Sequence, residues 1–521
     1  MFQRHPPRNL WPILPLLLLA VVGQDQNWDL QNYHYYDPFA WLHGRLWLDI
    51  APAQIQTWHN PLLDVPLYLM TRAGWPGCIA SLWLALPMML ALYFLLRMYL
   101  LLGGRPSRVA LGALGVIAMT GAAAYAEIGT CFNDAFIAAG ILGGLFVLLR
   151  EDPVKGRASM WLLAGLLAGI VTGLKLTAGV YCLGLAGAAV AMPSLRAMPR
   201  RLLALLLGGI VGFGLAYGYW GTLLFHLHGD PFFPYFNQFF HSPDAMLTSH
   251  ADMRFHPNSI GDAMLVPIRL LHVTHRYSEV KLRDPRLLSG MLGFVLLLWQ
   301  SSRGESDANR LRLARLRALA GFFFVSFAAW AFQSGIYRYV LPLELLACLN
   351  IVLLLDWLPS HRRDVGAIVL CLLLIAATHR PSWGRTHHFE KPLVQVAMPS
   401  LPAYSMVVLS SQQPLAFAVT ALPDDVPAIA INNSLMHPDR CTALTVAAGQ
   451  RIQSHAGPLW LLRSDNATDD VGEQVAKDAY GLVVNGTCKP VATNFGKLRL
   501  CPLRRDPEPM PCAKPASAPG R

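Results

Sequence analysis

The chain has 521 residues, of which 54% are hydrophobic and only 14% charged, with a mean hydropathy of +0.38. Soluble domains carry roughly 25% charged residues, so this deficit, repeated in segment after segment, excludes an ordinary soluble domain and reads as a polytopic membrane protein. The formal charge of +11 does not point to nucleic acid, because the basic residues cluster in short loops between apolar runs, where they set membrane orientation.

In chain order, Arg4 and Arg8 precede an apolar stretch at residues 10–23. A span needs about 20 residues. The stretch therefore reads either as a first helix extended by its flanks or as a cleaved signal peptide with a basic start and a small-residue end. Both readings put Asp29 on the outer side. Later apolar runs fall near 78–102, 109–126, 134–149, 160–174, 176–192, 202–225, 287–300, 318–333, 340–357 and 366–379. Basic residues follow every second run. They are Arg105 and Arg108; Arg150, Lys155 and Arg157; Arg196, Arg200 and Arg201; Arg303, Arg310, Arg312, Arg315 and Arg317; and Arg362 and Arg363. A count of about 11 transmembrane helices with a cytoplasmic N-terminus places all of these groups inside and residues 380–521 outside.

That count leaves outer loops at 24–77, 127–133, around Lys175, at 226–286 and at 334–339. The first is the densest in reactive groups. It holds Asp25, Asp29, Asp37, Asp49 and Asp64, interleaved with His and Tyr, and it reads as the catalytic loop. Within it, residues 38–47 carry Phe39, Leu42 and Leu46 at helical spacing, with His43 and Arg45 between them. Such a segment is an amphipathic helix lying in the interface, or an ordinary helix packed on the bundle.

From about Pro392 the composition changes. Residues 405–410, 415–421, 428–431, 459–463 and 481–484 read as short strands, and 440–456 and 470–479 as helices. The fold class is therefore mainly α: a polytopic helical membrane bundle over residues 1–390, followed by a small extracytoplasmic α/β domain over 391–521. The Pro- and Ala-rich tail from Asp506 reads as disordered. Cys441, Cys488, Cys501 and Cys512 stand together in this domain, so at least one disulfide is expected, with its connectivity open.

Ionisable groups at membrane depth are costly and need a reason. Asp29 could serve as a general base or hold an acceptor hydroxyl, or it could cap the following turn. Glu127 and Asp134 bracket a short outer turn, and Asn133 or Asp134 is a natural N-cap. Two acids facing one cavity would also suit hydroxyl activation or a divalent cation. Lys175 interrupts two apolar runs with no acidic neighbour in sequence, which suits a phosphate or snorkelling to the interface. Arg338 offers a planar fork for phosphate, with Glu344 as the alternative salt-bridge partner. The pairs His34 with His43, His226 with His228, and His387 with His388 lack zinc-site spacing. No metal site and no certain cofactor are assigned.

These residues resemble the GT-C glycosyltransferases, polytopic enzymes that take a sugar from a polyprenyl-phosphate carrier. Asp29 follows the first helix as the acid of that family does, and Asp134 heads the fourth. R-Y-V-L-P at 338–342 is similar to the family's R-F/Y-x-x-P turn. G-D-P-F-F-P-Y-F-N at 229–237 and N-Y-H-Y-Y at 32–36 resemble loop motifs of bacterial members. Asp29 is followed by Leu30, so the acidic pair of the protein mannosyltransferases is absent. The resemblance covers about residues 10–390 and implies a bacterial inner-membrane enzyme with a periplasmic C-terminal domain. An acceptor hydroxyl on a glycan, lipid or protein would attack the sugar, and the lipid phosphate would leave. Asp29 and Asp134 would be catalytic. Tyr33, His34, Lys175, Tyr337 and Arg338 would bind substrate, with Lys175 and Arg338 on the leaving phosphate. O-antigen ligases or polymerases are the nearest alternative, although their large loop comes late in the helix order. A lipid or solute transporter is the third reading, but no inverted repeat is visible.

Overall fold

The computed structural model describes residues 10–151, 156–465, 468–506 and Cys512. Arg4, Arg8, Lys155 and all of the tail but Asp506 and Cys512 lie outside this set. The described structure is mainly helical, a membrane bundle with a small α/β domain near the C-terminus. Among the described residues four helices are long and apolar enough to cross a bilayer: Gly77–Leu101, Leu195–His228, Asp307–Gln333 and Tyr337–Leu355. Shorter apolar helices include Arg108–Met119, Ala158–Leu174 and Leu176–Ala191.

The chain forms two compact units that interleave in sequence. The first comprises Met1–Gln24, Ser81–Tyr219 and Asp252–His387. Glycine makes its helices pack tightly. A Cβ built on Gly165 would collide with the carbonyl oxygen of Leu205, one on Gly169 with that of Gly209, and one on Gly212 with that of Leu166. Small residues thus let helices Ala158–Leu174 and Met198–His228 approach backbone to backbone. Gly140 and Gly144 likewise meet Val171 and Ala164.

The apolar run at 109–126 is not one helix. Arg108–Met119 ends at Thr120, and a second helix, Ala122–Glu127, follows extended Gly121. The Thr120 hydroxyl donates back to the Val116 carbonyl at 2.7 Å, which closes the first helix. The short second helix carries Glu127 at its end.

The second unit comprises Asp25–Ala80, Trp220–Ala251 and His388–Arg521. Its mixed sheet runs Val396–Ala397, Lys489–Thr493, Leu498–Arg505, Leu459–Ser464, Met406–Leu409, Ala428–Ala430, with Leu482–Val484 also paired to Leu498–Arg505. Met406–Leu409 lies between two parallel neighbours and is buried along its whole length. Such strands read as continuous apolar runs. Disulfides join Cys441 to Cys512 and Cys488 to Cys501.

Two local expectations are corrected. Residues 415–421 form a short helix, Ala416–Val419, and not a strand; a short, fully buried apolar run does not distinguish the two by periodicity. Residues 38–47 are not one amphipathic helix. Helix Tyr36–Leu42 stops before Gly44, whose φ of 67° is left-handed, and a tight turn Arg45–Trp47 follows. The Arg45 guanidinium is fully buried. It grips Asp49 at 2.8 and 2.9 Å and donates to the Val426 carbonyl at 2.7 Å.

Candidate functional site

In the first unit the chain gathers Glu127, Asp134, Lys175 and Arg338. Asn133, at φ 67°, precedes helix Asp134–Arg150 and caps it with no side-chain bond. Asp134 stands in the first turn, and its Oδ1 accepts from Lys175 Nζ at 2.6 Å. The same ammonium donates to the Phe132 carbonyl at 2.7 Å and lies 4.9 Å from the centre of the Tyr339 ring. Lys175 has no acid beside it in sequence but has one in space. The Arg338 guanidinium lies 4.2 Å over the Phe132 ring and 5.3 Å from that of Tyr339. Glu127 Oε1 and Asp134 Oδ2 are buried without a hydrogen-bond partner. Burial, then the charge of Asp134, pushes the Glu127 carboxyl well above the usual carboxylate range, against the pull of Arg338, Lys175 and Arg385. The arrangement is a buried mixed-charge cluster with acceptor capacity still unused.

Tyr337 is fully buried, and its hydroxyl donates to Glu344 Oε2 at 3.0 Å. Glu344, the sequence's alternative partner for Arg338, also accepts from the Ala123 and Ala124 amides, each at 2.9 Å. Sequence reasoning missed Arg385. Its guanidinium donates to the carbonyls of Gly23 at 3.1 Å, Ala126 at 2.6 Å and Ile128 at 2.8 Å. It missed Asp284 and Arg286 as well, a fully buried pair at 3.0 Å. All three stand in polar stretches outside the apolar runs, so no local signal singles them out.

In the second unit Asp29 opens a wide helical turn, Leu30–His34, without a side-chain cap. Its Oδ2 accepts from the Tyr33 hydroxyl at 3.1 Å, and it is half-buried. The Tyr33 ring lies 4.0 Å from that of His34 and 4.9 Å from that of His59. His34 is buried, with Nδ1 2.9 Å from Asp64 Oδ2. The other first-loop acids differ. Asp25 is buried and holds the amide and side chain of Asn27, each at 3.0 Å. Asp37 is buried with neither carboxyl oxygen bonded. Burial, aided by the charge of Asp64, pushes it well above the usual carboxylate range.

Among the described residues no cluster of three or more His, Cys, Asp or Glu has the arrangement to hold a metal ion. The Glu127 and Asp134 carboxylates are a pair, not such a cluster.

No protein-family model and no curated protein matches the chain. Among solved structures, that of ArnT from Cupriavidus metallidurans bound to undecaprenyl phosphate is similar, with a TM-score of 0.51 at 12% identity. The match covers 95% of this chain and 97% of that one. Both units are therefore included in the likeness, the C-terminal sheet as well as the helices. At this identity the likeness is one of fold, and the chain has an ArnT-like membrane fold.

Proposed function

We propose that this chain is a membrane glycosyltransferase that moves a sugar from a polyprenyl-phosphate carrier to an acceptor hydroxyl on the extracytoplasmic face. The observation that carries the reading is the fold likeness over 95% of the chain to ArnT, a protein whose structure holds undecaprenyl phosphate. The reaction displaces the lipid phosphate from the anomeric carbon by the acceptor oxygen, which loses its proton. Asp29 takes or orients that proton. Of Asp25, Asp29 and Asp37 it alone is not buried, which favours it as the group able to meet an acceptor. Lys175 and Arg338 offset the charge that builds on the leaving phosphate. Asp134 holds Lys175 in place through its 2.6 Å ion pair, so that the ammonium is fixed where that phosphate docks. The protein is multi-pass, with the C-terminal sheet domain in the periplasm of a bacterial inner membrane. A C-terminal reporter that is active only in the cytoplasm would overturn this topology.

The test is a panel of radiolabelled polyprenyl-phosphate sugars incubated with purified protein. Label should leave the carrier and appear in acceptor, and Asp29→Asn should lose most of it, since general-base help is worth roughly 10²–10⁴-fold. Release from no carrier, with the protein folded, would sink the reading and leave a transporter or an O-antigen enzyme.

A further inference from the structure

Helix Ala122–Glu127 has six residues, too few to stand without outside help. Its first amides have no intrahelical acceptor, and the residue before it, Gly121, has no side chain to cap them. Two carboxylates from distant parts of the chain do so instead. Asp284 Oδ2 accepts from the Ala122 amide at 2.6 Å, and the two Glu344 oxygens accept from Ala123 and Ala124. At the other end Arg385 takes the Ala126 and Ile128 carbonyls. Acids at the N-terminus and a guanidinium at the C-terminus both match the helix dipole. The fit at Gly121 is close, since a Cβ there would run into Glu344 Oε1.

The same Glu344 carboxylate also receives the hydroxyl of Tyr337. Tyr337 is the residue before Arg338, in the short turn Tyr337–Val340, and its amide is fixed to the Tyr277 carbonyl at 2.7 Å. One buried side chain therefore ties the helix that ends in Glu127 to the turn that presents Arg338. We infer that Glu344 is a positioning residue that sets the spacing between the Glu127–Asp134 turn and Arg338, with Tyr337 as its arm to Arg338. The inference rests on the reading of Arg338 as a phosphate ligand, and it gives Tyr337 a role other than contact with substrate.

Two measurements on full-length protein in detergent test it. The first is amide hydrogen exchange in peptides covering residues 122–134 and 337–340. Glu344→Gln removes the charge and one acceptor, so exchange should rise about tenfold or more in both peptides; Tyr337→Phe should raise it about tenfold in 337–340 alone. The second is binding of undecaprenyl phosphate. Tyr337→Phe should weaken it several-fold in protein that remains folded, and Arg338→Ala should weaken it further. Unchanged exchange in either peptide of folded Glu344→Gln overturns the positioning role, as does Tyr337→Phe binding like wild type while Arg338→Ala binds poorly. If Glu344→Gln does not fold, the Tyr337→Phe results decide alone. If Arg338→Ala binds like wild type, the phosphate reading fails, and the exchange data still decide whether Glu344 links the two turns.

Discussion

Lys175→Met removes the ammonium and keeps most of the apolar stem. It leaves Asp134, whose side chain is 3% exposed, without its 2.6 Å partner at Oδ1, and Oδ2 has no partner already. Removing one member of a buried ion pair costs about 3–5 kcal/mol, because an uncompensated charge stays behind. Lys175 is itself 18% exposed, so water reaches part of the pair and the lower end of that range, about 3 kcal/mol, applies. Asp134→Asn in the same chain removes the stranded charge and should restore most of the loss, which a double-mutant cycle would read as coupling between the sites. The assay is thermal unfolding in detergent, with wild type, both single variants and the double variant in parallel. Lys175→Met should melt several degrees below wild type, and the double variant should recover. A Lys175→Met protein that melts with wild type, or an Asp134→Asn change that fails to recover it, would refute the reasoning. The double variant also separates stability from chemistry. If Lys175 touches the donor phosphate, the folded double variant uses donor less well than Asp134→Asn alone.

Arg338→Ala should impair donor use far more than Lys175→Ala, since a bidentate guanidinium loses two charge-assisted hydrogen bonds of about 1.5–3 kcal/mol each. Arg338→Lys should recover part of it, and an Arg338→Ala enzyme with wild-type donor dependence would contradict the role. Gly212→Leu should destabilise by about 1–3 kcal/mol through overpacking against Leu166, whereas Gly214→Leu, in open space on the same helix, should not; equal melting temperatures for the two would discount the backbone contact. Asp37 has its folded pKa raised above the ordinary 3.8 by burial. The folded chain thus binds more protons than the unfolded one above that pH, and stability falls as pH rises towards the folded value. Asp37→Asn should melt at or above wild type at pH 8 and lose that advantage by about pH 4; a variant that is less stable at pH 8 than at pH 4, relative to wild type, reverses the sign and refutes it.

The helical bundle was legible because its signal is local: long apolar runs and the position of basic residues between them. The candidates Asp134, Lys175 and Arg338 were legible for a related reason, since charge among apolar residues stands out. Their partners were not. Lys175 and Asp134 are 41 residues apart, and Glu344 caps an amide 221 residues away. Sequence spacing carries no trace of such pairs, so Lys175 read as a lone cation and Glu344 as a neighbour for Arg338. Arg45 read as the polar face of a helix for the same reason. Its charge is met by Asp49, four residues on, and by carbonyls near residue 425. Leu498–Arg505 was missed as a strand because its Arg and Pro residues mask the buried Leu498, Leu500 and Cys501.

The second unit gives the C-terminal domain a physical task. The Ile50 amide donates to the Ala428 carbonyl, and the Ala430 amide donates to the Ile50 carbonyl, each at 2.9 Å. Ile50 thereby pairs with Ile429 on strand Ala428–Ala430 in parallel register. Beside this bridge Asp49 accepts from the Ala428 amide at 2.8 Å while it holds buried Arg45. Asn433 donates to the Ala51 carbonyl at 3.0 Å, and Arg451 to that of Leu48 at 2.7 Å. The segment that carries Asp29 is thus built partly on main-chain groups of residues 423–451. Without them the Arg45–Asp49 pair would lose its carbonyl and amide partners, and a buried pair left with unmet hydrogen-bonding groups is costly. A chain ending at residue 391 should therefore insert its helices yet leave residues 25–80 unfolded. Limited proteolysis should cut within 43–60 in the truncated chain and spare those residues in the full one. Equal resistance in both would mean that the loop holds itself, and the C-terminal sheet would need another explanation.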